Sequence, residues 1–254
     1  MLRGIKKEMK EVSVVIPSYN CGVYIEQAIE SVLQQRVSVE ILLIDDASTD
    51  DTEERMKRFQ KREEVCYIKN KKREGVSQAR NRGILKAKGK YIAFLDADDW
   101  WALEKLQKQL VQIEKQASIL CYTGRELYSE QGIALDKIIE VKEALTYQEL
   151  LHHNEIACSS VLLHTEVAKE FLMEHDEVHE DYLMWLRILK KYERASGINE
   201  PLLKTRLTKE GKSRKKWKTF RMTYGVYRHL GIGKIRSFYY MGNHVIRSGI
   251  KYFL

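Results

Sequence analysis

Three carboxylates fall within four positions, at Asp96, Asp98 and Asp99, directly after the apolar run YIAFL at 91–95. Carboxylates this close repel one another and raise each other's pKa unless a cation or hydrogen-bond donors compensate. Asp96 and Asp98 alternate at the end of a strand pattern, so extended geometry turns both side chains to one side, as a shared cation requires. Hard divalent cations, Mn2+ or Mg2+, take such oxygen ligands and bridge one or two carboxylates to a substrate diphosphate. The competing reading is a solvated acidic turn that caps a helix starting near Ala102.

Two further polar clusters follow apolar runs upstream. Ser18, Tyr19 and Asn20 offer an aromatic ring on which a base can stack. Asp45, Asp46 and Ser48 offer acceptors and a hydroxyl suited to the imide of a pyrimidine and to ribose. No GxGxxG follows the first strand pattern and no GxxxxGK[ST] occurs, which disfavours a dinucleotide fold and removes the P-loop. What remains is a nucleotide site whose phosphates are held by a metal instead of a glycine cradle.

The elements that must position these groups alternate in type. Short Val- and Ile-rich runs at 12–17, 39–46, 65–70 and 90–96 read as strands. Helical spacing recurs at 24–35, again through Met56 and Phe59, and at 77–89, closed by Gly89. A βαβαβαβ order with near-continuous apolar strands predicts an α/β fold, a mostly parallel sheet flanked by helices. Such sheets place ligands at the carboxyl ends of their strands, where the polar clusters fall. Farther on, a helix is expected at 103–115, a strand at 117–124 and a hairpin over 125–139 turning near Gly132. A strand at 157–164 and helices at 165–174 and 179–192 follow. The organisation is a catalytic domain over 1–210, with a nucleotide half at about 12–104 and an acceptor half at about 105–210, then a tail at 211–254.

Length and composition are those of a folded globular chain: 254 residues, 44% hydrophobic, two prolines. Cys21, Cys66, Cys121 and Cys158 lie far apart with no CxxC pair, which indicates reduced thiols in a cytosolic protein. The amino terminus reads as a strand and not as a signal peptide, and no apolar segment approaches the roughly 20 residues that span a bilayer.

The net charge of +8 belongs to the tail. After Glu210 there is no acid, and eleven Lys and Arg residues give +11, leaving −3 for residues 1–210. Trp217, Phe220, Tyr224 and Tyr227 recur at helical intervals among these charges. A basic amphipathic helical tail of this kind predicts contact with an anionic membrane surface through residues 212–254. The competing reading packs the stripe onto the catalytic domain. Nucleic acid is not expected, because an acidic cleft opposes a polyanion.

VSVVIPSYN, YIEQAIESVLQQ, VEILLIDDASTDDT, GVSQARNRGI and GKYIAFLDADDWW, in this order and spacing, resemble the family 2 glycosyltransferases of the A-type glycosyltransferase fold. The resemblance is dense over about 12–104 and weaker to about 206. It implies transfer of a sugar from a nucleotide diphosphate donor, expected to be a UDP-sugar, to an acceptor hydroxyl with inversion. It implies that Tyr19 and Asp46 contact the base, that Arg80 lies near base or phosphates, that Asp96 lies near the ribose and that Asp98 ligates the metal. Pro17, Asn20, Ser48, Gly75 and Ala97 are counted with them as donor-binding positions. Asp99 is expected to cap the next helix.

HEDYLMWLRIL resembles the family's Glu-Asp motif, which makes Asp181 the base and Glu180 a residue orienting acceptor or loop. The positive helix start is expected to keep Asp181 ionised. Many relatives carry a His after the strand matching PLLKTRL; none stands here, so either Arg206 with nearby lysines covers the diphosphate or donor affinity is weaker than the family's norm. The implied setting is surface polysaccharide assembly, with a glycan or lipid-linked acceptor, by a cytoplasmic protein peripheral on the inner face of a bacterial membrane. A nucleotidyltransferase would share sheet and metal but needs a basic glycine loop where SYNCGVY stands. A noncatalytic nucleotide-sugar-binding module would keep the fold and lose the base.

Overall fold

The computed structural model of the protein describes residues 10–208 and 216–253. The domain boundary expected at 210, and Lys212, Arg214 and Lys215 of the tail, lie outside the described residues. The nucleotide half contains β1 (Val12–Ser18), α1 (Gly22–Leu33), β2 (Val39–Asp45), α2 (Thr52–Met56), β3 (Val65–Lys69), α3 (Val76–Lys86) and β4 (Tyr91–Phe94). Next come β5 (Trp100–Trp101), α4 (Lys105–Gln116), β6 (Leu120–Tyr128), β7 (Ala134–Ile139), β8 (Ala144–Thr146) and α5 (Tyr147–His152). The chain continues through β9 (Leu162–His164), α6 (Thr165–Glu170), α7 (Glu180–Tyr192), β10 (Arg194–Arg206), α8 (Lys216–His229) and α9 (Lys234–Phe253).

One sheet runs in the order β3-β2-β1-β4-β9-β6-β10-β5, with β7 on β6 and β8 on β10. The first four strands pair parallel, as their apolar runs predict. β1 is buried along its whole length because both faces are covered: Val15 joins one core, while Val12, Val14 and Ile16 join the other. β9 then enters antiparallel between β4 and β6, and β10 lies parallel to β6. The register of β10 shifts between Ile198 and Leu203, where Pro201 supplies no ladder N–H.

Several expected boundaries move. β6 runs unbroken through the position where a strand was expected to give way to a hairpin. Trp100 and Trp101 pair with Lys204 and Leu203 as β5, so α4 starts at Lys105 and not near Ala102. The strand expected over 157–164 keeps three residues, preceded by a single 3-10 turn.

The helix carrying Glu180 and Asp181 is held almost all round. Tyr182, Leu183, Met184, Trp185, Leu186, Ile188 and Leu189 are each at most 1% exposed. A helix apolar on every side belongs in the core. Truncating Trp185 to alanine there costs about 3–5 kcal/mol.

α8 is part of that core, not an appendage. Met222, Val226 and Tyr227 are buried, and Tyr227 Oη donates to Leu151 O at 2.8 Å. Gly225 permits the approach, since a Cβ there would meet Val178 Cγ1 at 2.5 Å. Face-to-face stacking of His175 and His229 at 3.8 Å, beside Glu177, fastens the end of α8 to the loop before α7. The stripe Phe220, Tyr224 and Tyr227 therefore turns inward, while Trp217 is 80% exposed.

α9 has two apolar faces. Ser237 and Met241 are buried on one. Ile235, Phe238, Tyr239, Val245 and Ile246 are each at least half exposed on the other, flanked by Lys234, Arg236 and Arg247. At about 100° per residue these five side chains span an arc of roughly 120° whose centre lies about 120° around the helix from the midpoint of Ser237 and Met241.

Candidate active site

The polar clusters meet at the carboxyl ends of β1, β2, β3 and β4, and they are bound to one another. Asn20 N donates to Ser48 Oγ at 3.0 Å, and Thr49 N donates to Asn20 Oδ1 at 2.8 Å. Both loops turn through left-handed backbone, at Asn20 (φ 52°) and Ala47 (φ 64°). Asparagine adopts this region readily; a β-carbon at Ala47 makes it costlier. Ser48 Oγ is thus an acceptor in the link between the two loops, and its hydroxyl hydrogen is left to donate. Pro17 lies within β1, in register with Ile44.

Asp46 organises the next loop. Its Oδ1 accepts from Asn70 Nδ2 at 2.9 Å and Glu74 N at 2.8 Å, and Oδ2 accepts from Gly75 N at 2.8 Å. Of about four lone-pair positions on a carboxylate, three face the protein and one on Oδ2 remains for a ligand. Gly75 has φ 98°, and a Cβ there would meet Asp176 Oδ2 at 1.9 Å. Asp176 itself accepts from Ser77 N at 2.9 Å and from Ser77 Oγ. Asn81 adds two bonds to Met173, at 2.6 and 2.9 Å. The segment leading into α7 is strapped to α3 in this way. The sequence assigned no role to Asp176 or to Asn81, whose partners lie more than 90 residues away.

The acidic segment does not stay extended: β4 ends at Phe94, and Ala97 and Asp98 form a turn in which Asp99 N donates to Asp96 O at 3.0 Å. Asp96 and Asp98 are partly exposed; Leu95, Ala97 and Asp99 are buried. Ser159 Oγ accepts from Asp96 N at 3.0 Å, a partner the sequence did not flag. Burial, then the neighbouring Asp96 charge, pushes the Asp98 carboxyl up to about 6. Two carboxylates close enough for one charge to act on the other, one of them destabilised as an anion, are a donor set that suits a hard divalent cation. Asp99 does not cap α4. It points inward, where its Oδ1 accepts from Arg206 N at 3.0 Å and burial raises its carboxyl well above the usual range.

Two arginines are engaged within the protein. Arg80 is 4% exposed, with Nη2 2.6 Å from Asp96 Oδ1 and Nη1 2.8 Å from Glu180 Oε1. It is a buried bridge between the acidic turn and α7, with both terminal nitrogens engaged by carboxylates. Arg206 lies between the rings of Tyr24 and Trp100, at 4.7 and 4.8 Å. Its Nε, Nη1 and Nη2 donate to Asp98 O, Glu130 O and Gln27 Oε1 at 3.1, 2.9 and 2.6 Å. It braces the acidic turn through three neutral acceptors.

Glu180 and Asp181 differ although they are adjacent. Glu180 is 6% exposed and paired with Arg80, which ties the helix start to α3. Asp181 is partly exposed, and its carboxyl is raised, first by burial and then by the Glu180 charge, against the lowering effect of Arg80 and His179. The helix start therefore does not hold Asp181 at an ordinary aspartate value. The result is a stronger base in reach of the same cluster.

The description "Glycosyl transferase family 2" matches residues 13–160, more than half of the chain. The protein belongs to this family. It is a glycosyltransferase, as its full-length relatives also indicate. TuaG of Bacillus subtilis (strain 168), whose name places it among the glycosyltransferases of teichuronic acid biosynthesis, is 37% identical over 223 residues, 86% of this chain and 88% of its own. WfaP of Escherichia coli, a UDP-Glc:alpha-D-GlcNAc-diphosphoundecaprenol beta-1,3-glucosyltransferase, is 32% identical over 249 residues, 96% and 98% of the two chains. Among solved structures, the mannosyltransferase PcManGT of Pyrobaculum calidifontis, in complex with GDP-Man and Mn2+, superposes with a TM-score of 0.70 at 16% identity. The match covers 92% of this chain and 70% of that one, and shares the A-type glycosyltransferase fold.

Proposed function

We propose that the protein transfers a hexose, with inversion, from a UDP-sugar to a hydroxyl of a lipid-linked glycan acceptor in bacterial surface polysaccharide assembly. The observation that carries this reading is the single charged cluster made by Asp96, Asp98, Arg80, Glu180 and Asp181, which joins the nucleotide half to the start of α7. The names of TuaG and WfaP support the acceptor class, and the UDP-Glc donor in the name of WfaP supports the nucleotide.

In this mechanism Asp181 takes the proton of the acceptor hydroxyl as its oxygen attacks C1 from the side opposite the leaving group. The C1–O bond breaks and its electron pair departs with UDP. Asp98 and Asp96 would hold Mn2+ or Mg2+, which supplies charge neutralisation at the leaving diphosphate. Arg80 fixes the relative position of Asp96 and the α7 start, which is the orientation a near-attack geometry demands. Asp46 holds the loop that flanks the base.

The acceptor's lipid anchor requires work at a membrane surface. Among the described residues no helix is long and apolar enough to cross a membrane. The exposed face of α9, with basic residues on its flanks and no acid after Glu210, suits the cytoplasmic surface of an anionic bilayer. A second copy of the chain docked there would bring like charges together.

Calorimetric titration with a panel of nucleotide sugars, with and without Mn2+, tests the donor half, and turnover with a polyprenyl-diphosphate-linked N-acetylhexosamine tests the acceptor half. UDP-sugar binding that strengthens with Mn2+ and disappears in Asp98→Asn is expected. Binding unaffected by the ion, or release of pyrophosphate in place of UDP, overturns the proposal.

A further inference from the structure

Tyr19, the ring expected to stack on the donor's base, already carries a cation. The Arg73 guanidinium lies 3.9 Å from its centroid, contact distance for a flat group on a ring face. Tyr19 is 36% exposed and Arg73 is exposed, so the pair sits at the mouth of the site and not in the core.

The backbone that carries Arg73 is pinned on both sides. Before it, Asn70 N donates to Asp45 O at 2.8 Å and Asn70 Nδ2 to Asp46. After it, Glu74 N and Gly75 N donate to Asp46. Among the described residues the side chain forms no ion pair, and it lies against the Tyr19 ring. A fixed base with a movable, flat, charged arm over an aromatic face is the arrangement that sandwiches a planar ligand. Arg80 and Arg206, the two arginines the sequence offered for donor contact, are locked elsewhere.

We propose that Arg73 is the outer jaw of a nucleobase clamp: the donor's base enters between the Tyr19 ring and the Arg73 guanidinium, which lifts by about one ring thickness, ~3.5 Å. The clamp grips the faces of the base and adds affinity without choosing among bases. Edge recognition is left to groups such as the open lone pair on Asp46 Oδ2. This inference rests on the nucleotide-donor reading above.

The test is displacement calorimetry with uridine and with UDP plus Mn2+, on the wild type, Arg73→Ala and Arg73→Lys. Arg73→Ala should weaken both ligands by the same factor, ~10-fold, because both present the same base. Arg73→Lys should recover little of this, since an ammonium is not planar, and melting temperatures should stay unchanged. If Arg73→Ala weakens UDP but not uridine, the guanidinium serves the phosphates and the clamp is wrong; if neither changes, it is also wrong. A wild type that binds neither ligand removes the donor reading itself, whereas a wild type that binds both beside an unimpaired Arg73→Ala removes the clamp alone.

Discussion

Arg80 Nη1 lies 2.8 Å from Glu180 Oε1, 100 residues away in sequence, and the same guanidinium holds Asp96 at 2.6 Å. Removing one partner of such a buried network leaves an uncompensated charge, at about 3–5 kcal/mol. Arg80→Gln is therefore expected to lower stability by at least ~3 kcal/mol, read by urea melts, and to abolish turnover. Arg80→Lys should not rescue it, because one ammonium cannot span both carboxylates with parallel donors.

Asp181→Asn is expected to reduce kcat by about 10²- to 10⁴-fold and leave UDP affinity unchanged, measured by steady-state kinetics beside calorimetry. The pH profile carries a second sign. A base must be deprotonated, and burial with the Glu180 charge raises the Asp181 carboxyl, so kcat/KM should begin to fall at a higher pH than an ordinary aspartate allows. Glu180→Gln removes that charge and leaves Arg80 less compensated. Both effects lower the Asp181 pKa, so the acid limb should move to lower pH.

Lys105, the first residue of α4, is fully buried with Nζ 2.7 Å from Gln109 Oε1 and 3.9 Å from the Trp101 ring. Burial lowers its ammonium to about 7. Between about 7 and the ordinary lysine value the unfolded chain binds the extra proton, so stability rises with pH across that window, by at most ~1.4 kcal/mol per unit. Below it both states are protonated and the contribution is flat at its minimum. Chemical denaturation at several pH values should show this rise in the wild type and its loss in Lys105→Met.

Vesicles containing anionic lipid should bind the protein through α9. Replacing Ile235, Phe238 and Ile246 together by serine removes three exposed apolar side chains, each worth ~1.5–3 kcal/mol on burial. Partition should fall at least 10-fold with the melting temperature held. Deleting the chain after residue 211 is a poorer test, because it also removes Tyr227 and Val226 from the core and is expected to unfold the domain.

The parallel half was legible because its signals are local. Apolar runs that end in SYN, DDASTD and DADD mark both the strands and the ends at which ligands sit. Asp96 and Asp98 are partly exposed and Ala97 and Asp99 buried, but a turn at Ala97 and Asp98 sets this pattern and not the strand alternation that the sequence predicts. The acceptor half was less legible. β5, β8 and α5 have two, three and six residues, too few for a period to show, and long-range pairing decides them.

Residue types and spacing determined which chemistry this protein commands: paired carboxylates for a cation, an aromatic platform for a base, and an acid at the start of a helix. Only the tertiary structure decided which cations those acids meet. Arg80 and Arg206 each carry the same charge as Arg73 in the sequence, but two are buried as braces of the acidic turn and the third stands free over Tyr19. The reason is physical: a side chain's chemistry is local, whereas its burial and its partners are set by segments up to 179 residues apart, as Gln27 and Arg206 are.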